Sequence, residues 1–421
     1  MLFSQVSAQS DKPLALVMTA DGPIEPAMLE YFKRGISTAE QRNADLLIVQ
    51  LNTPGGGIGT MLEIVNAIRS SKVPVVIYVA PRGAIAASAG ALITMAGQAS
   101  AMAPETTIGA VIPIDGSGQN LDSDLRTKEI NTLKEKIHPF VSPRGDAALK
   151  LAESMIEKGT SADANKALDA KLVDFLADDI DELLTKLDGL TVQMSDGPRT
   201  LHTANARTEP LDMSFIESFL LMLTNSNIAF LLLAIGVQAI LIEISHPGGW
   251  AAGFLGVVCL SLAVYGMGVL PINWFGMIFL VTAFVLFILD IKAPTHGALT
   301  VAGVASFIVG SLMLFNSPGT PQFQRVSVPL VVGMGIFLGL MFFGILLLAL
   351  RTIHGPVLTG VEQYIGKAGT AKTWNEAGGQ VQLESELWSA EKVAESEQIS
   401  KGDTVEVVEV KGLRLKVKKI K

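Results

Sequence analysis

Apolar residues follow three regimes along this chain. Up to about residue 190, short apolar runs alternate with amphipathic stretches. From Ile228 to Leu350 apolar runs recur with almost no charge, and beyond Val361 short alternating runs are divided by glycine turns. In the first regime Leu14–Met18, Leu46–Leu51 and Val75–Val79 predict buried strands, with helical patterns at Pro26–Arg42 and Gly59–Ser70 between them. Such alternation predicts βαβ crossovers and a mostly parallel sheet covered on both faces. A helix over Ser88–Gln98, strands near Ala99–Ala103 and Ile108–Ile114, a flexible loop over Gly116–Thr127, and helices over Lys128–Ile137 and Pro143–Lys158 complete an α/β domain spanning 13–190.

Residues 191–212 are polar and read as a linker, and Ser214–Leu223 reads as a short amphipathic helix lying at a membrane interface. Within a membrane region over 213–352, five apolar segments follow: Ile228–Ile242, Trp250–Leu270, Ile272–Leu289, Ala298–Phe315 and Val328–Leu350. A span needs ~20 apolar residues, so about five spans are expected, with four or six also open. Glu243 and Asp290 end apolar runs and read as boundary residues facing water. The last region, 356–421, has five short strands with turns at Gly378-Gly379, Lys401-Gly402-Asp403 and Lys411-Gly412, which predicts a small antiparallel barrel.

Composition agrees. Apolar residues make up 49% of the chain and charged ones only 17%, too apolar for a wholly soluble protein. The net charge of −8 provides no basic surface for nucleic acid. The single Cys259 lies in an apolar run and the five histidines never pair at ligand spacing, so neither metal nor cofactor is expected. Val6-Ser7-Ala8 has the small-x-small form of a signal-peptidase site, so residues 1–12 read as a tail or the remnant of a clipped signal peptide.

The chemistry sits in Gly83–Gly90, GAIAASAG. Ser88 stands among residues too small to cover it, on a sharp turn at the start of a helical pattern, where free backbone N–H groups and the helix dipole favour developing negative charge. Upstream, LNTPGGG (Leu51–Gly57) ends a strand in three glycines that can bring bare N–H groups to a substrate carbonyl. Small residues for close helix packing would explain Ala86, Ala87, Ala89 and Gly90, but not that triplet upstream.

TPGG, then AASAG, then MAPETTIGA (Met102–Ala110) and SADANKALDAKLVD (Ser161–Asp174), resembles a ClpP-class serine protease, with an α/β fold of the ClpP/crotonase type. More narrowly it is similar to the membrane-bound long-form NfeD proteases. The C-terminal region resembles the soluble OB-fold domain of NfeD proteins in Gly366–Ala371, Leu387–Ala390 and ISKGDTVEVVEVKGLRLKV. The resemblance implies Ser88 as nucleophile and an oxyanion hole from the N–H groups of Gly55 and Ala89, with Gly56 shaping the loop. Soluble ClpP-like enzymes carry a histidine where this chain has Pro113, and the family's lysine falls on Lys128 when one residue is deleted after Gln119-Asn120. Lys134 and Lys136 are fallbacks, and His138 reads as a surface residue. A lysine base must lose roughly three units from ~10.4, which burial away from carboxylates supplies.

The expectation is therefore a multi-pass serine endopeptidase of a bacterial or archaeal-type cytoplasmic membrane with a Ser88–Lys128 dyad. The resemblance also implies a homo-oligomer that cuts hydrophobic segments, such as the C-terminal segment of a stomatin-like membrane protein. Its protease domain would be extracytoplasmic. Lys292 and Arg351 flank spans on the side where the barrel would face the cytoplasm. The rivals are a non-catalytic membrane scaffold binding a stomatin-like partner, and a crotonase-like acyl-CoA enzyme, which has no use for a nucleophilic serine or membrane spans.

Overall fold

The computed structural model describes residues 12–113, 122–245, 248–270, 272–293, 295, 297–317, 320, 324–353, 361–394 and 396–420. Val6-Ser7-Ala8 and Gln119-Asn120 lie outside the described residues. Its contacts divide the chain into two units, residues 1–290 with 298–340, and residues 291–297 with 341–421.

The N-terminal part runs β1 (Leu14–Asp21), α1 (Pro26–Gln41), β2 (Leu46–Asn52), α2 (Ile58–Ser70), β3 (Val75–Val79), β4 (Ile85–Ala87), α3 (Ala89–Ala96), β5 (Ala99–Met102), β6 (Thr107–Gly109), α4 (Ser123–Val141), α5 (Asp146–Glu157), β7 (Ser161–Asp163), α6 (Ala164–Asp169), β8 (Phe175–Leu176) and α7 (Ile180–Leu187). Three further strands follow, β9 (Thr191–Met194), β10 (Gly197–Thr200) and β11 (Arg207–Pro210). The main sheet has six parallel strands in the order β11-β1-β2-β3-β5-β8. Every residue of β3 is buried, as a central parallel strand with both faces covered requires. One face packs on α1, α2, α3 and α5 through Phe32, Ile64, Leu92 and Ile156, and the other on α7 and β9 through Leu183, Leu187 and Val192. A second sheet, β4-β6-β7, carries the turn that holds Ser88.

Two expectations need correction here. Residues 191–212, read above as a linker, carry a β9–β10 hairpin and β11, which adds to the edge of the main sheet beside β1. Their polar composition reflects an edge position, with most side chains facing water. The helix expected from Lys128 begins five residues earlier, at Ser123, behind Asp122, whose side chain accepts the Ser123 N–H.

Then come α8 (Phe215–Leu223), α9 (Ser226–Ser245), α10 (Ala251–Val269), α11 (Phe275–Lys292), α12 (Ala298–Phe315) and α13 (Val328–Ile353). Four of these, α9, α10, α12 and α13, are long and apolar enough to cross a membrane, and the apolar part of α11, Phe275–Asp290, is shorter. Helix α8 opens with a capping box of Ser214 and Glu217. Glu217 also holds Arg34 of α1 through two bonds of 2.8 Å. The opposite face leaves Phe215 and Ile216 exposed, beside the start of the spans.

Glu243 and Asp290 do not simply face water. Glu243 accepts the N–H of Trp250 at 3.0 Å and of Gly253 at 3.2 Å, capping α10. Asp290, buried, accepts the N–H of Thr300 at 3.0 Å and its hydroxyl, capping α12. In both hairpins the carboxylate reaches the N–H ten residues on. Helix-start N–H groups near a bilayer have little water to bond, so an acidic side chain from the preceding helix satisfies them.

The C-terminal strands β12 (Ala368–Asn375), β13 (Gly378–Leu383), β14 (Glu386–Lys392), β15 (Thr404–Lys411) and β16 (Arg414–Lys419) close a barrel in the order β12-β13-β14-β16-β15. Only the β14–β16 pair is parallel, the arrangement of an OB-fold. Alternate residues Val381, Leu383, Val405, Val407, Leu415 and Val417 fill it.

Candidate active site

Ser88 lies between β4 and α3 with φ 51° and ψ −113°. A non-glycine residue in that region is strained, and the strain is held because both flanks are pinned. Its N–H donates to the Gly109 carbonyl at 2.8 Å, extending the β4–β6 pairing by one residue. Behind it, α3 begins at Ala89 with no side-chain cap, so the helix's first N–H groups point at the serine's surroundings. Ser88 is half-buried and its Oγ makes no hydrogen bond among the described residues. This is the geometry of a nucleophile elbow.

The glycine loop is tied to that elbow at two levels. Thr53 N–H donates to the Ile85 carbonyl at 2.7 Å, and Ala87 N–H to the Thr53 carbonyl at 3.0 Å, zipping the end of β2 to β4. On its other side, Ile24 N–H donates to the Gly55 carbonyl at 2.8 Å and Gly57 N–H to the Ile24 carbonyl at 3.0 Å. Gly55 has φ +113° and approaches so closely that a Cβ there would lie 2.7 Å from Ser88 Cβ. At Gly56 a Cβ would lie 2.2 Å from the Ile24 carbonyl oxygen. Both positions therefore require glycine.

The N–H groups of this loop are not equivalent. Gly55 N–H is engaged by the buried Thr53 Oγ1 at 3.1 Å. Gly56 N–H makes no hydrogen bond among the described residues, and Gly56 lines the cleft together with Ser88 and Ala89. Thr53 was not singled out from the sequence, because its role depends on contacts to β4 and to the loop it starts.

The cleft at Ser88 is otherwise apolar, walled by Ile58 and Met61 of α2, by Val111–Pro113, and by Leu133 of α4. Its volume is about 20 Å³, room for about one water. Pro113, at the position of the missing histidine, forms part of this wall.

Lys128 is not at this cleft. It is exposed on α4 and lines an open groove with Asp124, Thr127, Asn131, Thr132, Glu135, Lys136 and Pro139. The α4 face turned to the core carries Leu133, Ile137 and Val141. The fallback Lys134 is ruled out as a base by its partners. Its ammonium donates to the Glu157 and Glu153 carboxylates, which raise it above the ordinary lysine range and favour the charged form. Lys136 lines the same outer groove as Lys128, and His138 is exposed near the end of α4.

Three family models match in succession: the NfeD1b N-terminal domain over residues 16–193, the NfeD integral membrane domain over 227–349, and the NfeD-like C-terminal, partner-binding domain over 361–419. The membrane-bound protease PH1510 of Pyrococcus horikoshii is 34% identical over 412 residues, covering 96% of this chain and 93% of that protein. Membrane protein NfeD1b of Bacillus subtilis is 26% identical over 440 residues, covering 100% and 96%. A solved mutant of 1510-N, a membrane-bound stomatin-specific protease, in complex with a substrate peptide is similar at 34% identity. It covers 50% of this chain and 98% of that one with a TM-score of 0.47. With its ClpP-like N-terminal domain, multi-pass membrane region and OB-fold barrel, this chain belongs to the long-form NfeD family, alongside a membrane-bound protease.

Proposed function

We propose that the chain is a membrane-anchored serine endopeptidase in which Ser88 attacks the peptide carbonyl. The observation that carries this reading is the strained Ser88 elbow zipped against the Gly55–Gly57 loop, with an unbonded Gly56 N–H and the first N–H of α3 beside it. Those two donors, from Gly56 and Ala89, are where an oxyanion would be held. Gly55, whose own N–H is engaged by Thr53, sets the loop's path. Each oxyanion donor contributes about 2.7–4 kcal/mol to the transition state.

Apolar cleft walls favour an apolar side chain next to the scissile bond, and the cleft must widen to admit one. The base is Lys128, which requires the first turns of α4 to bring its amine from the outer groove to Ser88 when substrate binds. Substrate closing over the amine would exclude bulk water from it. Support for a stomatin-like membrane protein as substrate comes from the C-terminal, partner-binding domain and from the relative's specificity. Assembly as a homo-oligomer belongs to the same reading. Five spans, with α11 crossing as well, would place protease domain and barrel on opposite sides of the cytoplasmic membrane.

The outward direction of Lys128 favours a second reading, a scaffold that binds a stomatin-like protein without cutting it. One experiment separates the two. A fluorophosphonate should label Ser88 in the full-length protein, and Ser88→Ala should abolish both labelling and cleavage of an apolar peptide while keeping the thermal midpoint. Absence of labelling on a folded protein supports the scaffold.

A further inference from the structure

One buried ionisable group has no part in the chemistry above. Glu25 is 5% exposed, and its carboxyl makes no hydrogen bond to any described residue. It occupies the N-cap position of α1 without capping that helix, so helix capping does not explain it. The residue before it, Ile24, is the one whose N–H and carbonyl clamp Gly55 and Gly57. A displacement of the Ile24-Glu25 turn is thus passed by two backbone hydrogen bonds to the loop that touches Ser88.

Among the described residues no basic group acts on Glu25. On its own helix, Arg34 is taken by Glu217 of α8 at 2.8 Å. From α10, the titratable group within electrostatic reach is the Tyr265 phenol. Burial alone pushes the Glu25 carboxyl from 4.5 up to about 7. At 5% exposure an ionised carboxylate is poorly hydrated, and it gains water when the turn moves off its packing.

We propose that Glu25 is a positioning residue for the oxyanion loop: in its neutral form it seats Ile24, and through Ile24 the Gly55–Gly57 loop, against Ser88, and its ionisation unseats them. This rests on the peptidase reading of Ser88. The sign follows from linkage. A carboxyl raised in the folded protein favours the seated form fully below pH 4.5 and loses it as pH rises through about 7. That fall opposes the rise produced by a lysine base.

The test uses full-length protein in detergent micelles and an apolar fluorogenic peptide, with kcat and KM measured from pH 5.5 to 9 for wild type, Glu25→Gln and Glu25→Asp. In Glu25→Gln the ratio of kcat at pH 8 to kcat at pH 6 should rise about tenfold over wild type, following the loss of neutral carboxyl one unit above its midpoint. KM should stay the same, and Glu25→Asp should retain a falling limb. Equal ratios in wild type and Glu25→Gln, or a folded Glu25→Gln inactive at every pH, would overturn the proposal. A second readout needs no catalysis. In Ser88→Ala, hydrogen exchange of the 53–58 segment, corrected for intrinsic rate, should quicken above pH 7, and Ser88→Ala/Glu25→Gln should not show it. Exchange independent of Glu25 overturns the positioning role, whereas coupled exchange in a wild type without activity overturns only the peptidase reading.

Discussion

Gly56→Ala tests the oxyanion assignment with a single methyl group. An added Cβ would stand 2.2 Å from the Ile24 carbonyl oxygen and 2.7 Å from the Ile24 carbonyl carbon and nitrogen. All three are backbone atoms, so no rotamer change relieves the overlap. Restoring an ordinary carbon–oxygen contact requires the loop to shift by about 1 Å. A displacement of that size at reacting groups costs about 10²-fold, and loss of one oxyanion donor costs about 10²–10³-fold. The expected loss is therefore roughly 10²–10³ in kcat, about 2.7–4 kcal/mol, with KM little changed because the donor acts mainly on the transition state. The assay is steady-state cleavage of an apolar fluorogenic peptide by purified full-length protein, with thermal unfolding followed in parallel. Gly57→Ala is the control, since a Cβ there meets nothing closer than Thr60 Oγ1 at 3.4 Å, and it should retain most activity. A Gly56→Ala enzyme within a few-fold of wild type would refute the assignment of this loop to the oxyanion.

Lys128→Ala should remove most activity and Lys128→Arg should not restore it, because a guanidinium stays protonated above pH ~12. His138→Ala should be nearly silent, and loss of activity in a folded His138→Ala would show a histidine base instead. Arg34→Ala should lower the unfolding midpoint, since it strips two bonds of 2.8 Å from a nearly buried Glu217. Bonds to a charged group contribute about 1.5–3 kcal/mol, and the partial exposure of Arg34 places the loss at the low end; an unchanged midpoint would show that α8 is held by apolar packing alone. Cysteines placed on the α5 surface should react with an impermeant maleimide in outer-membrane-permeabilised cells, and those on the barrel only after lysis. Equal labelling would mean an even number of spans.

The sequence by itself determined what depends on local periodicity. The all-buried β3, the period of α1 and α2, the apolar lengths of α10, α12 and α13, and the alternation of β13 and β15 all read directly, because a strand or span announces itself in consecutive residues, whereas α9 is longer than its apolar run Ile228–Ile242 suggested. Ser88 and its glycine loop were legible for the same reason, as short motifs whose small residues have a steric purpose. Tertiary structure decided what joins distant segments. The docking of β11 beside β1 and the Arg34–Glu217 pair have no local signature. The capping of α10 and α12 by Glu243 and Asp290 and the burial of Glu25 likewise depend on neighbours from other helices. Lys128 shows the division most clearly: counting along the chain placed it at a position where a base is expected, but the direction of its side chain is set by which face of α4 packs on the core. That face is chosen by Leu133, Ile137 and Val141, whose burial outweighs any preference of a single solvated lysine.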